Sequence, residues 1–380
     1  MDIPDFLFEI SELAKQNNQK VYLVGGAVRD LLLNKNVCDF DLLCSHNAIE
    51  LARFLEKSNY LEIKSVHQSF GTAKVYLKEH QIDLDLATAR EEVYEYPGSL
   101  PKVQYPCAIE DDLRRRDFSI NSIALELKSA KTTELVDPFE GKSDLQSKLI
   151  RVLHNKSYLE DPTRIIRAVR FAIRFDCKIA DEDIKQIALT MNDERVIEIT
   201  KRIRGIRFGI ELKRLLELNN WLEGVKHLSK LAAWDLIRRG LVINNQPPSY
   251  SIDSWDAKLT WILWNNSSKN DLNTLPSILN ELGISLKTQK QVKKVKEIIN
   301  SPNILSLSRY KEINGLANDF KNIAFSLNYS LKENFELMSE ALPNIKPKDL
   351  IEKGFTGKSI AEELNKIFQS NLQKLRKKTN

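Results

Sequence analysis

The chain has 380 residues, 42% hydrophobic and 29% charged, which is more than one typical core accommodates and the balance of an ordinary soluble protein. Its 57 basic and 52 acidic side chains leave a net charge of +5, too mild to require nucleic acid or to exclude it. Composition also argues against a secreted or membrane protein. Cys38, Cys44, Cys107 and Cys177 form no CxxC pair and no zinc-like spacing, and no apolar run is long enough to span a bilayer. The acidic, amphipathic opening MDIPDFLFEISELAKQ is unlike a signal or transit peptide, so a reduced, cytoplasmic setting with no membrane is expected.

Residues 1–145 mix strand and helix signals. KVYLVGG reads as a strand ending in a glycine turn, and AVRDLLLN as a short helix after it. FDLLC, GTAKVYL and IDLDLAT read as strands, several with alternating polarity. Past ELVDPFEGKSDLQSK the pattern turns helical, as in IIRAVRFAIRF, GIRFGIELKRLLEL and TQKQVKKVKEIIN. NNQPPSYSIDS looks like a linker within this half, and the basic end LQKLRKKTN is expected to fray. The expected fold class is α+β, a mixed-sheet head with helices followed by an all-α remainder.

Four stretches carry chemistry, the first running from LVGGAVRD through DFD. In LVGGAVRD, Gly25 and Gly26 let backbone approach a ligand where a Cβ would collide. The following helix start favours phosphate, and Arg29 offers a charged fork to its oxygens. In DFD, Asp39 and Asp41 would face the same way on a strand, and such a pair repels itself unless a cation intervenes. Mg²⁺ is the usual one, held by few carboxylates plus substrate phosphates. In IDLDLATAR, Asp83 and Asp85 repeat the spacing; Asp85 is the candidate third catalytic carboxylate, while Asp83 reads equally as a solvent-facing edge.

RRRDFSIN sets Arg114, Arg115, Arg116 and Asp117 before an apolar run, with Asn121 four residues beyond Asp117. The cluster reads either as a phosphate or RNA contact or as a solvated helix start capped by Asp117. In EDPTRIIRAVRF, Asp161 before Pro162 is a helix cap, and Arg164, Arg167 and Arg170 form a basic stripe opposite Ile165, Ile166, Val169 and Ile173. An aspartate beside an arginine also suits the amine-plus-acceptor edge shared by cytosine and adenine. Uracil and guanine present the reverse, a carbonyl beside a ring N–H.

These motifs, in this order, resemble the class II tRNA nucleotidyltransferases: the CCA-adding enzymes and their bacterial poly(A) polymerase relatives. The resemblance is dense over residues 20–215 and returns weakly in IKPKDLIEKGFTGKSIAEELNKI. REEVYEYPGSLPKVQYPCAIEDDLRRRD resembles the family's flexible loop running into its second motif. The resemblance implies a polymerase-β-like nucleotidyltransferase head at 1–145, then an all-α neck at 146–220, body at 221–340 and tail at 341–380. It makes Asp39 and Asp41 the Mg²⁺ ligands, with Asp85 matching the third carboxylate. It puts Gly26, Arg29 and Arg116 on the nucleotide, makes Asp161 and Arg164 the base-reading pair, and has Arg167 and Arg170 complete the pocket. The implied partners are CTP, ATP and tRNA through its acceptor and T arms, monomer or homodimer being left open.

The implied activity is addition of C, C and A to the tRNA 3′ end. A-only and CC-only addition, poly(A) polymerase activity and an inactive RNA-binding relative are the alternatives. The loop motif tells against CC-only addition, and the absence of an RRFR-like run tells against a poly(A) polymerase. GFTGKS is no P-loop, because Glu352 stands where the first glycine is needed. Trp255, Trp261 and Trp264 read as packing residues. His46, His67, His80, His154 and His227 include no His-Asp pair, which tells against a phosphohydrolase domain.

Overall fold

The computed structural model describes residues 3–37, 39–93, 95–96, 102–128, 131–203, 205–241, 243, 245–264 and 275–379. Helix α1 (Asp5–Gln16) leads into β1 (Val21–Val24), α2 (Gly26–Leu32) and β2 (Phe40–Cys44). Then follow α3 (Ala48–Lys57), β3 (Leu61–His67), β4 (Thr72–Leu77) and β5 (Ile82–Thr88). A short ribbon of β6 (Glu91–Val93) and β7 (Lys102–Gln104) precedes α4 (Ile109–Arg114), β8 (Ala124–Leu127), β9 (Thr133–Val136) and α5 (Gly141–Gln146). The strands read from KVYLVGG, FDLLC, GTAKVYL and IDLDLAT all form.

Seven of these strands make one sheet in the order β3-β4-β5-β2-β1-β8-β9, with β2 and β5 parallel and the other neighbours antiparallel. Alternation assigns its two faces. On one, Val21, Leu23, Phe40, Leu42, Cys44, Val75 and Leu84 pack beneath α1 and α3, whose Leu7, Ile10, Leu51 and Leu55 are fully buried. Asn47 starts α3 there, its side chain accepting from Ile49 and Glu50 N–H. Among the described residues the other face holds a smaller cluster, Tyr22, Val24, Leu43 and Ala124 under Leu113 of α4. The polar residues of β2, β4 and β5 share that thinly covered face, so burial of the first face directs them to the second.

Beyond the sheet, β10 (Leu149–Ile150) pairs in parallel with β11 (Lys178–Ile179) around α6 (Ser157–Glu160) and α7 (Thr163–Phe175). Helices α8 (Asp181–Asn192) and α9 (Arg195–Arg202) follow. The chain divides into two compact units, 1–204 with 230–236, and 205–229 with 237–380.

The second unit is helical among its described residues: α10 (Gly205–Leu216), α11 (Trp221–Lys230), α12 (Trp255–Trp264), α13 (Leu275–Glu281), α14 (Leu286–Ile299), α15 (Leu307–Asn314), α16 (Asn318–Leu327), α17 (Tyr329–Glu340), α18 (Pro347–Glu352) and α19 (Lys358–Thr379). Gly209 lets α10 lie against the α13–α14 corner, since a Cβ there would sit 2.0 Å from the Leu282 carbonyl oxygen. Trp261 and Trp264 are buried, as packing residues should be. Helix α19 runs to Thr379, so the described part of the basic C-terminal stretch is helical, with Phe368 and Leu372 buried.

Candidate active site

The parallel pairing of β2 with β5 sets Asp41 opposite Asp85 on the thinly covered face. Two carboxylates on adjacent strands at one register level lie side by side. Asp39 stands just ahead of β2, outside the strand, so alternation does not decide its direction; it is exposed and close enough to act on Asp41. The Asp41 carboxyl is held above its usual range, first by burial among its neighbours although one side opens to solvent, then by the charges of Asp85 and Asp39, with Arg116 opposing. Lys74, the β4 partner of Asp85, approaches it to 3.7 Å. Asp83 faces Tyr76 across the strands and is exposed.

Arg116 borders this acidic group. Its guanidinium donates to Asp112 Oδ2 at 3.0 Å and to the Asn121 carbonyl at 3.4 Å. It also lies against Gly25, where a Cβ would come within 2.6 Å of Arg116 Nη1. Gly25 has φ +66° and ψ −124°, a conformation that demands glycine, and a side chain there would also displace Arg116. Gly26 opens α2, and a Cβ there would meet only Arg29 at an ordinary 3.5 Å. Arg29 itself is 5% exposed. It donates to Asp30 at 2.8 Å and to Asn121 Oδ1 at 2.6 Å, and stacks 4.3 Å from the Phe175 ring centre. Burial lowers its pKa, with Asp30 opposing. Its fork is thus committed to protein partners within the glycine corner.

The helix-start reading of the arginine cluster does not hold. Arg114 ends α4, and Arg115 and Arg116 follow it. Only Arg114 is mainly exposed, while Arg115 and Arg116 converge on the fully buried Asp112 carboxylate. Asp117 caps no α-helix. It accepts from Phe118 N–H and Asn121 Nδ2 through Oδ1 and pairs with Arg167 through Oδ2. Burial pushes its carboxyl up, but Arg167, the Asn121 bond and Arg164 outweigh this and hold it below the usual carboxylate range.

The α7 stripe meets these groups one arginine at a time. Arg164, 7% exposed, bonds Ser157 and reaches the Arg115 carbonyl at 3.4 Å. Arg167 takes Asp117, and Arg170 lies 4.2 Å from the Phe171 ring centre. Ile165, Ile166 and Val169 are buried opposite. Asp161 Oδ1 accepts from Thr163 N–H at 3.1 Å and from its hydroxyl at 2.6 Å, which is the expected cap.

The first unit therefore contains all eleven predicted site residues, and contacts link Gly25, Arg29, Arg116, Arg164 and Arg167 through Asn121, Asp112, Arg115 and Asp117. Of the stretch that resembles the flexible loop, residues 94 and 97–101 lie outside the described residues. Sequence reasoning missed Asp112, Glu92, Phe171 and Phe175. Asp112 had a signal, lying three and four residues before Arg115 and Arg116. Phe171 and Phe175 had the weaker one of sharing a helix with the arginines they support.

Residues 21–151 match the Poly A polymerase head domain. The chain is 32% identical over 395 residues to the A-adding tRNA nucleotidyltransferase of Aquifex aeolicus, covering 94% of this chain and 45% of that one. It therefore spans about half the length of that curated relative. A CCA-adding enzyme in apo form superposes with a TM-score of 0.79 at 27% identity, over 98% of this chain and 92% of that one. A CCA-adding enzyme in complex with CTP gives 0.75 at 26%, over 97% and 90%. The fold is accordingly a polymerase-β-like mixed-sheet head continued by helices. With its four motifs in order, residues 21–151 form a Poly A polymerase head domain, and along its length the chain is similar to A-adding and CCA-adding tRNA nucleotidyltransferases.

Proposed function

We propose that this protein is a template-independent tRNA nucleotidyltransferase that adds C, C and A from CTP and ATP to the tRNA 3′ end. The observation that carries the reading is the acidic group of Asp39, Asp41 and Asp85 beside Arg116 and the Gly25 corner. The reaction is in-line attack of the 3′-hydroxyl on the nucleotide α-phosphate, with pyrophosphate leaving. The donor set suits Mg²⁺. Asp39 and Asp41 would hold it, and mutual repulsion with Asp85 leaves Asp41 in want of a cation. Among the described residues no three His, Cys, Asp or Glu side chains group as a metal site, so an ion on Asp39 and Asp41 would need its other ligands from substrate phosphates and water. When bound, Mg²⁺ supplies positive charge to the attacking and leaving oxygens.

The chain's own groups do the rest. Gly25 leaves room for Arg116, whose charge is close enough to act on Asp41 and whose guanidinium would hold phosphate oxygens. Arg29, buried on Phe175, positions that corner through Asn121, whose carbonyl accepts from Arg116. Asp161 and Arg164 would read the base edge, accepting from its amine and donating to its ring nitrogen. Arg167 and Arg170 support them through Asp117 and Phe171. The helical neck, body and tail at 146–220, 221–340 and 341–380 would hold tRNA by its backbone and shape.

A second reading, addition of A alone, is favoured by the activity in the name of the Aquifex relative. tRNA transcripts ending before CC, after C and after CC, each offered CTP and ATP, separate the two. CCA addition extends all three; A addition extends the last alone; extension of none overturns both.

A further inference from the structure

Arg115 is assigned no part in the reaction proposed above, yet its guanidinium makes four hydrogen bonds beside it. Its Nε and Nη2 donate to Asp112 Oδ1 at 3.0 and 2.8 Å, and Nε also reaches the Arg90 carbonyl at 3.1 Å. Its Nη1 donates to Glu92 on β6 at 3.0 Å. Its own carbonyl accepts from Arg164. Asp112, without solvent exposure, returns the tie: Oδ1 also accepts from Arg90 N–H at 3.2 Å, and Oδ2 holds Arg116. One planar fork thus joins the β6–β7 ribbon, the end of α4, the phosphate-side Arg116 and the base-side Arg164.

The chemistry of this node is that of placement. Its side chains are 0–20% exposed, so their hydrogen bonds run in a medium where direction matters and water does not substitute. Lysine in place of Arg115 would keep the charge but could not span Asp112, Glu92 and the Arg90 carbonyl at once. Glu92 accepts from Arg90 Nη2 at 3.1 Å as well as from Arg115, so it ties the fork to the start of the ribbon.

We propose that Arg115, clamped by Asp112 and Glu92, is a positioning residue for nucleotide selection: it sets the orientation of Arg164 against the base and of Arg116 against the phosphates. The proposal rests on the nucleotidyltransferase reading and deepens it. It predicts that loosening the fork degrades choice among nucleotides more than it degrades the fold.

The test is single-turnover addition to tRNA by the full chain, with CTP, ATP, UTP and GTP offered separately, for wild type, Arg115→Lys and Glu92→Gln. Both variants should raise incorporation of UTP relative to CTP, and of GTP relative to ATP, by about tenfold. Thermal melting and tRNA affinity should stay near wild type. Should Arg115→Lys fail to fold, Glu92→Gln, which leaves Arg115 on Asp112, decides. A purely structural node would slow all four nucleotides alike with unchanged ratios, and a purely electrostatic one would be rescued by lysine; either result overturns the proposal. A wild type that adds no nucleotide overturns the functional reading and this one together, whereas an active wild type whose selectivity both variants share overturns this one alone.

Discussion

The two compact units both carry many basic side chains and spend them differently. In the first, Arg29, Arg164 and Arg170 are buried and Arg115, Arg116 and Arg167 are largely so, each against a carboxylate, an aromatic face or a carbonyl. In the second, Lys287, Lys290, Lys293 and Lys294 stand exposed along α14, whose Val292, Val295 and Ile298 are buried. A buried, paired guanidinium has lost most of its long-range pull but becomes a donor of fixed direction. An exposed ammonium keeps its pull, which salt screens within about 10 Å. The first arrangement suits discrimination among small ligands, and the second suits attraction of a large polyanion.

The contrast breaks most visibly at the acids. Asp41→Asn should lower nucleotide incorporation by about 10³-fold or more, since it removes charge where several kcal/mol of transition-state stabilisation originate. Affinity for tRNA, measured by filter binding, should persist. Near-normal turnover would mean that the acidic group is not the reaction centre.

Next comes the pairing itself. Asp117→Ala strands a mostly buried Arg167 and should cost about 3–5 kcal/mol in urea unfolding, against no more than about 0.5 kcal/mol for Lys287→Gln. Equal effects would erase the distinction between the units. The pH dependence follows from the sign. Because the Asp117 carboxyl lies below its ordinary range when folded, its contribution is present above that range, about pH 4, and is lost as pH falls through the lowered value. Wild type should therefore lose stability over that acidic interval more steeply than Asp117→Ala.

For the second unit, neutralising Lys287, Lys290, Lys293 and Lys294 together should weaken tRNA binding by about tenfold at low salt and flatten its salt dependence. Unchanged slopes in a salt titration would remove α14 from the interface. The smallest effect is expected at Asp161. Asp161→Ala should cost about 1 kcal/mol of stability through the lost α7 cap. It should also relax rejection of UTP and GTP; if selectivity stays whole, capping is all that Asp161 does.

Much of this was legible in the chain. The strands were readable because burying one face forces polarity to alternate, and α7 because its isoleucines and arginines fall on opposite sides of a helical turn. The acidic site was legible at Asp41, since its spacing and its surroundings agree. The arginine cluster was not. RRRD allows a helix start, yet it closes one at Arg114, because Asp112 draws Arg115 and Arg116 back onto α4 and Arg167 takes Asp117 from another element.

What the sequence determined by itself is whatever depends on near neighbours: which segments are strands or helices, which residues share a face, and the presence of glycine where only φ +66° fits. Strand pairing order lay beyond it. Asp41 and Asp85 are 44 positions apart and meet only because β5 inserts beside β2 in parallel. The same holds for Arg29, whose look of a free phosphate ligand ended once α7 folded Phe175 over it. A side chain's type limits the partners it can take, but burial, which depends on the whole chain's packing, decides which of them it keeps.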